Sequence, residues 1–187
     1  KFFVTIHDLI LTKFPTPRAT TLSPLFYKIK NWGYRLVIWK AIKGAKRVIT
    51  VSEFTKRDII QQFQPPSDNI VVTHEGVTDL SQKGLLSEEK KMDDNRILLS
   101  YNIKKEFFLY VGNVYPHKNL ERFLEVFQRF HQQYPEIQLV LVGKEDYFYR
   151  RLKEKAQELR IWSNSKESPL IFAGYVEDKD LEIFYKN

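Results

Sequence analysis

Short apolar runs alternate with longer segments of helical periodicity along the second half of the chain. The runs Phe107–Val111 and Ile137–Val142 are almost entirely apolar and each is followed by a glycine, which is typical of buried strands. Asn119 lies between them as a suitable N-cap for a helix. One face of that helix is indicated by residues at helical spacing: Leu120, Phe123, Leu124, Phe127 and Phe130. The pattern predicts a strand, a helix and a second strand, the order that joins two parallel strands.

The same alternation continues toward the end of the chain. A polar helix is predicted over Tyr147–Arg160, and a short strand over Leu170–Ala173 that ends at Gly174. The last segment, Asp180–Lys186, has the pattern of an amphipathic helix. Strands and helices in this order predict an α/β domain with a doubly wound sheet.

The first half of the chain also alternates between strands and helices. The pattern predicts strands over Phe2–Ile6, Arg47–Val51 and Asn69–Thr73. It predicts helices over Leu25–Lys43 and Glu53–Gln64, the second of them started by Ser52. This half is therefore expected to form a second α/β domain.

A polar, charge-mixed stretch separates the two halves. It includes the run Glu88–Asp94 and is interpreted as a linker or surface insertion over residues 80–105. The chain begins with Lys1 and stops inside a predicted helix, so we expect both α/β domains to be incomplete. Residues 1–79 would be the C-terminal part of one domain, and residues 106–187 the N-terminal part of the other.

The composition excludes several classes of protein. With no cysteine among 187 residues, disulfide scaffolds, cysteine-ligated metal sites and cysteine nucleophiles are excluded. No apolar run is long enough to span a bilayer, and no secretory signal is visible at the start. We therefore expect a cytoplasmic protein.

The positive charge is concentrated in one segment. The net charge is +7, and residues 9–52 contain nine basic residues and no acidic one, whereas the rest has 21 basic and 23 acidic residues. Three interpretations stay open. The charges are solvated on a helix packed on two sides, or they make peripheral contact with an anionic membrane or lipid phosphate at the inner face of the membrane. The third interpretation is contact with nucleic acid. No basic-aromatic recognition motif accompanies the charge, so nucleic acid is not the expected partner. The apolar residues of this predicted helix recur at helical spacing: Leu25, Ile29, Trp32, Leu36 and Trp39.

Ligands bind beyond the carboxyl ends of the strands in open α/β sheets, which directs attention to Gly112–Lys118. Lys118 comes just before the helix predicted from Leu120, where a cation faces the positive end of the helix dipole. This placement is explained if Lys118 and free backbone N–H groups hold an anion such as a phosphate, and Gly112 would let the backbone approach it closely. A solvated lysine is the alternative. The stretch is neither a P-loop nor a GxGxxG fingerprint.

His7 and Asp8 follow the first predicted strand in the same way. His7 is either a structural residue bonded to neighbouring backbone or a neutral imidazole that acts in a cleft, with Asp8 orienting it or capping the next loop. His74 and Glu75 end the third strand of this half. No two histidines have metal-ligand spacing, so we expect no metal site.

Taken in order, six segments resemble the GT-B glycosyltransferases of family 4, which includes bacterial mannosyltransferases, sucrose synthases and glycogen synthases. The segments are Thr5–Leu9, Val48–Asp58, Val72–Val77, Leu109–Leu120, Leu139–Gly143 and Ile171–Val176. Their order and spacing are more specific than any one of them. The resemblance implies two Rossmann-like domains that face a cleft, the first on the acceptor side and the second binding the donor.

The resemblance also implies an activity and a set of site residues. The family transfers a sugar with retention of anomeric configuration, usually without a metal. We therefore expect transfer of a hexose from a nucleotide-sugar donor, such as GDP-mannose or a UDP-sugar, to a glycan or lipid-linked acceptor. Lys118, with Gly112 and Asn113, would hold the donor diphosphate. His7 matches the family histidine that reaches the donor sugar. The positions where the family contacts the nucleotide base, partly through backbone, are Val176 and Asp178.

Two departures from the family pattern limit these expectations. Many relatives have an arginine near the position of Asn113, which cannot supply that charge. The family's paired glutamates, spaced E-x7-E, are absent, since no two glutamates of this chain stand at that separation. We therefore expect this polypeptide alone to be inactive. A non-catalytic module that binds a nucleotide-sugar or a phosphate is the alternative function.

Overall fold

The computed structural model describes residues 2–16, 20, 23–76, 90–104, 106–163, 165 and 167–187. The chain divides into two units, unit 1 over Lys1–Thr78 and unit 2 over Asp79–Asn187. Each unit has its own three-stranded sheet.

Unit 1 alternates strands and helices as the sequence predicts. Its strands are β1 (Phe2–Ile6), β2 (Ala45–Thr50) and β3 (Ile70–Val72). Its helices are α1 (Ile10–Lys13), α2 (Pro24–Gly44) and α3 (Glu53–Phe63), and a single 3-10 turn, Ser67–Asn69, leads into β3. The short α1 is the one described helix of this unit that the pattern did not predict.

The sheet of unit 1 is parallel, with β2 in the centre. Val48 of β2 lies opposite Val4 on one side and Ile70 on the other. The start of α3 is confirmed, because the Ser52 hydroxyl accepts a hydrogen bond from the Thr55 N–H at 3.1 Å. The core of the unit consists of buried aliphatic side chains: Ile6, Leu9, Ile42, Val48, Ile59 and Ile70.

Helix α2 packs on its unit through one side. Ile42 is its buried residue, and Ile38 is half-buried against the same core. The basic side chains of α2 are exposed, as the interpretation of solvated charges expects, but among the described residues only one side of the helix is packed. Arg18 of the basic segment lies outside the described residues. No helix among the described residues has the length and apolar character needed to cross a membrane.

Unit 2 has three strands and four helices among its described residues. The strands are β4 (Phe107–Val111), β5 (Gln138–Val142) and β6 (Leu170–Gly174). The helices are α4 (Lys90–Ser100), α5 (Leu120–His131), α6 (Tyr147–Glu158) and α7 (Asp178–Lys186). All strands are parallel, in the order β4, β5, β6.

The sheet of unit 2 is covered on both faces. Strand β5 is buried along its whole length, so alternate side chains enter two different cores. Leu139 and Leu141 pack with side chains of α5 and α6. Val140 and Val142 pack with side chains of α4 and α7. The result is a three-layer arrangement of helices, sheet and helices, which confirms the predicted α/β class.

Helix α4 lies within the segment that the sequence pattern assigned to a linker. Leu98 and Ile103 are 4% and 1% exposed and belong to the core that also contains Phe184 of α7. Asp94 of α4 pairs with Lys186 of α7, with 3.6 Å between oxygen and nitrogen. The structure thus differs from the predicted linker over residues 90–104, while residues 80–89 lie outside the described residues. The first part of this helix is mostly charged, and Ile97, Leu98 and Leu99 are consecutive, so no helical spacing of apolar residues indicated its buried side.

Candidate functional site

Three glycines mark the carboxyl ends of the strands in unit 2. The Gly112 N–H donates to the Val142 carbonyl, and the Gly143 N–H donates to the Gly174 carbonyl, both at 2.9 Å. Because the strands are parallel, the loops that follow them leave from one edge of the sheet. The structure therefore brings the predicted residues Gly112, Asn113 and Lys118 to the same edge as Val176 and Asp178.

Two of these glycines are required by the backbone. A Cβ added to Gly143 would lie 2.3 Å from the Gly112 carbonyl oxygen, closer than any real contact. Gly112 has φ +151°, a conformation that side chains disfavour. The two glycines thus allow β4 and β5 to end in close contact, which fixes where the loop after β4 begins.

The loop after β4 is held by a side chain of the same strand. The Tyr110 hydroxyl donates to the Asn113 carbonyl at 2.7 Å. Burial raises the pKa of Tyr110, so its hydroxyl keeps the proton that it donates. Val114 is buried and anchors the middle of the loop. The loop then forms a 3-10 turn, Pro116–Lys118, in which the Lys118 N–H donates to the Tyr115 carbonyl at 2.8 Å.

Lys118 is exposed just before α5, and it has no ion pair among the residues that the structure describes. Glu121, in the first turn of α5, is paired instead with Arg151 of α6 at 3.6 Å. The side chain of Asn119 makes no capping hydrogen bond, since this residue adopts a left-handed conformation with φ 57°. Asn119 thus occupies the N-cap position, as predicted, but its side chain does not cap the helix. A lysine charge and the N–H groups of a helix start remain together on this surface.

Tyr149 of α6 contacts this edge of the sheet from the face that α5 and α6 cover, a role that the sequence pattern does not indicate. Its hydroxyl, on a side chain 1% exposed, donates to the Leu141 carbonyl at 3.2 Å and accepts from the Gly174 N–H at 3.0 Å. Burial raises the pKa of Tyr149 to about 12. A neutral hydroxyl thus links the ends of β5 and β6. The sequence shows only a tyrosine in the first turn of a polar helix. That feature does not indicate that its hydroxyl bonds to two strands.

The two residues expected at the nucleotide base differ in their exposure. Val176 is 3% exposed and its side chain belongs to the core shared with Val140 and Val142. A ligand could therefore meet Val176 only through its backbone. Asp178 is exposed and begins α7.

In unit 1, His7 is paired with Glu75, a residue 68 positions away. The His7 Nδ1 lies 3.0 Å from the Glu75 Oε1, and both side chains are 66% exposed. Because a carboxylate only accepts hydrogen bonds, Nδ1 carries the proton and Nε2 of a neutral ring is left free. Glu75 follows β3, whose end lies at the same sheet edge as the end of β1. Nothing in the sequence pattern connects Glu75 with His7.

Neighbouring groups hold the loop that carries His7. The Asp8 carboxylate accepts from the Ile10 N–H at 3.0 Å, so Asp8 caps the next loop and does not orient the imidazole. The Thr55 hydroxyl donates to the His7 carbonyl at 3.1 Å. His74 donates from Nδ1 to the Val51 carbonyl at 3.2 Å and is structural. Within the described part of the chain, no group of three or more His, Cys, Asp or Glu side chains could hold a metal ion.

Residues 92–187, just over half of the chain, match the family model of the glycosyl transferases group 1, and the chain belongs to this family. The match begins inside α4, which agrees with the packing of that helix in unit 2. The expected family membership is therefore confirmed.

Two curated relatives are O-antigen mannosyltransferases. O-antigen chain mannosyltransferase B of Escherichia coli is 27% identical over 186 residues, which cover 97% of this chain and 43% of that protein. O-antigen chain mannosyltransferase RfbU of Salmonella typhimurium is 25% identical over 146 residues, which cover 76% of this chain and 36% of that protein. The chain thus spans less than half the length of these relatives.

Solved structures resemble the chain in fold. TarM superposes with a TM-score of 0.56 and 15% identity, over 96% of this chain and 29% of TarM. A UDP-forming trehalose-phosphate synthase from Burkholderia xenovorans superposes with a TM-score of 0.60 and 12% identity, over 96% of this chain and 49% of that protein. At such identities the likeness shows the fold alone, and it confirms the predicted GT-B class.

Proposed function

We propose that the whole protein is a retaining glycosyltransferase that moves a hexose from a nucleotide-sugar donor to a glycan or lipid-linked acceptor. The observation that carries this proposal is Lys118, an exposed cation at the start of α5 with no acidic partner in the described residues. Membership of the group 1 family supports the reaction class. The names of the two bacterial relatives support mannose as the sugar. The proposed donor is GDP-mannose or a UDP-sugar.

Lys118 would bind the donor diphosphate. Its ammonium group and the first N–H groups of α5 would stabilise the negative charge that grows on the departing nucleoside diphosphate. Gly112 would let the phosphates approach the backbone after β4, and Asn113 would add hydrogen bonds without charge. The required anion binding is thus supplied by the chain's own groups, and we propose a reaction without a metal.

His7 would contact the donor sugar. With Nδ1–H donating to Glu75, Nε2 of the neutral ring is available as an acceptor for a sugar hydroxyl. Glu75 would act as a positioning residue that fixes the orientation of this ring. The base would be met by Asp178 and by the backbone of Val176, because the Val176 side chain is buried.

The proposal is tested by replacing Lys118 with alanine in the whole protein and measuring sugar transfer from GDP-mannose and from UDP-sugars. We expect turnover to fall by about a hundredfold or more, because one preorganised charge on the leaving group is lost. The matched control is Lys104→Ala, which removes an exposed lysine near the amino end of β4, at the opposite edge of the sheet. Wild-type turnover in the Lys118→Ala variant would contradict the proposal. A whole protein that binds the donor and transfers nothing would be the non-catalytic module.

A further inference from the structure

A row of polar side chains on α3 contacts the loop that carries His7. Each member of this α3 polar stripe bonds to a residue of that loop, and the members are Thr55, Asp58 and Gln62. They are three and four positions apart, so they lie on one face of the helix. An adjacent face, with Ile59, packs in the core of unit 1. Helix α3 therefore makes a polar contact with the loop beside its apolar contact with the core.

Thr55 bonds directly to the backbone of His7. Its hydroxyl, on a residue 5% exposed, donates to the His7 carbonyl at 3.1 Å. Because that hydroxyl has a single proton to donate, the Ser52 hydroxyl, 3.1 Å away, donates to Thr55. The chain of hydrogen bonds thus begins at the N-cap of α3 and ends at His7. The peptide that carries the imidazole is fixed from α3, while the ring itself pairs with the exposed Glu75.

The rest of the stripe holds the short helix α1. The Asp58 carboxylate accepts from the Lys13 ammonium at 2.7 Å, and its side chain is only 10% exposed. The Gln62 side-chain oxygen lies 2.8 Å from the Thr12 hydroxyl. Helix α1 has four residues, too few to be stable without tertiary contacts. Its placement therefore depends on these two contacts and on Leu9, which is buried in the core.

Polar side chains at such a contact are costly to bury. A buried hydroxyl or carboxylate loses its hydration, and aliphatic side chains of similar size would hold the two elements together about as well. Hydrogen bonds add direction, because each of them restricts the distance and the angle between two particular atoms. The α3 polar stripe therefore sets the orientation of the loop more sharply than an aliphatic contact would.

We propose that the α3 polar stripe positions His7 for sugar transfer, with Thr55 as the positioning residue that acts on it most directly. The proposal rests on the proposed contact of His7 with the donor sugar. A shift of the His7 peptide would move the ring Nε2 away from the sugar hydroxyl, and a misplacement of about 1 Å can slow a reaction by about a hundredfold. The alternative is a stripe that stabilises unit 1 and leaves the rate of transfer unchanged.

The test replaces Thr55 with valine in the whole protein, which removes the hydroxyl and keeps the shape of the side chain. We expect kcat for sugar transfer to fall by about tenfold with little change in donor KM, and Thr55→Ser to keep most of the wild-type kcat. The matched control is Thr50→Val, because Thr50 is fully buried and its hydroxyl donates to the Ser52 carbonyl at 3.3 Å and not to the loop. Both valine variants should lower the thermal unfolding midpoint, and only Thr55→Val should slow transfer. Equal kcat values in the two valine variants would overturn the proposal.

A double substitution shows whether Thr55 acts through His7. In a His7→Ala background, Thr55→Val should cause no further loss of kcat, because the ring that it positions is absent. A further loss of about tenfold would overturn the proposal. A loss of kcat in His7→Ala without a loss in Thr55→Val would refute this inference alone. Unchanged kcat in His7→Ala would refute the proposed contact of His7 with the sugar, and this inference with it.

The ring of His7 gives a second readout that does not require sugar transfer. Its nitrogen chemical shifts, measured by NMR on the whole protein with labelled histidine, report which nitrogen carries the proton. In the wild type we expect the tautomer with the proton on Nδ1, bonded to Glu75. Thr55→Val should change these shifts toward the mixture of tautomers of an unpaired imidazole, while Thr50→Val should match the wild type. The same shifts in all three proteins would overturn the proposal, whether or not sugar is transferred.

Discussion

In unit 2 the loop that carries Lys118 is fixed by buried backbone contacts, whereas in unit 1 the ring of His7 is held by one exposed carboxylate. Gly112, Gly143 and the Tyr149 hydroxyl join three strand ends with hydrogen bonds of 2.9–3.2 Å. His7 and Glu75 are both two-thirds exposed. The difference implies that changes around the first site cost stability, while changes around the second alter chemistry and leave the fold intact.

The largest effect is expected from Gly143→Ala. The added Cβ would meet the Gly112 carbonyl oxygen at 2.3 Å, and two buried strand ends would have to separate. We expect a loss of about 3 kcal/mol in the free energy of unfolding, measured by urea denaturation. The control is Gly33→Ala in α2 of unit 1, where nothing lies within 4 Å, so the free energy should rise by about 0.5–1 kcal/mol. Equal changes in the free energy of unfolding for Gly143→Ala and Gly33→Ala would contradict the idea that the strand ends of unit 2 are fixed by close backbone contact.

The next effect is expected from Tyr149→Phe. It removes a hydroxyl that both donates and accepts inside the protein, which should cost about 1–3 kcal/mol. Burial raises the pKa of Tyr149 from its ordinary value of 10.0 to about 12 in the folded protein, so the unfolded chain loses this proton first as the pH rises. Stability from this group is therefore complete below pH 10 and is lost between about pH 10 and 12. The difference in the free energy of unfolding between the wild type and Tyr149→Phe should therefore narrow over that pH range. A constant difference would contradict a buried neutral hydroxyl at Tyr149.

The smallest effect on stability is expected from Glu75→Ala. An exposed pair contributes about 0–1 kcal/mol, so the thermal unfolding midpoint should hardly move. In the whole protein, kcat should fall about fivefold with little change in donor KM, because the His7 ring loses its orientation. In Glu75→Gln, kcat should fall by less, because the amide oxygen still accepts a hydrogen bond from the His7 Nδ1–H. Equal losses in the two variants, or a large loss of stability, would show that Glu75 does not act by positioning His7.

Much of the fold could be predicted from the sequence because the strands of a parallel sheet are nearly continuous apolar runs. Strand β4 has the predicted bounds, and β5 differs by one residue. Helix α4 escaped prediction, since its first part is mostly charged and its apolar residues Ile97, Leu98 and Leu99 are consecutive instead of recurring at helical spacing. For α2 the same periodicity identified an apolar face, and tertiary packing uses another side of the helix, which includes Ile38 and Ile42. Periodicity identifies a face but does not say what covers it.

The candidate site was predictable only where its residues are adjacent in sequence. Lys118 and Gly112 lie in one loop between a predicted strand and a predicted helix. The position of this loop at the carboxyl end of the strand and at the positive end of the helix dipole was enough to predict an anion site there. The Tyr149 contact with Gly174 and the Glu75 contact with His7 join residues 25 and 68 positions apart. Such contacts depend on which strands become neighbours, and no local pattern encodes that.

The most direct test of the central claim compares two affinities in the whole protein. Calorimetry would measure binding of the donor's nucleoside diphosphate and of the corresponding nucleoside, in the wild type and in Lys118→Ala. If Lys118 binds the diphosphate, the variant should lose about ten- to a hundredfold in affinity for the nucleoside diphosphate and nothing for the nucleoside. Equal losses for both ligands, or no loss for either, would contradict a diphosphate site at Lys118.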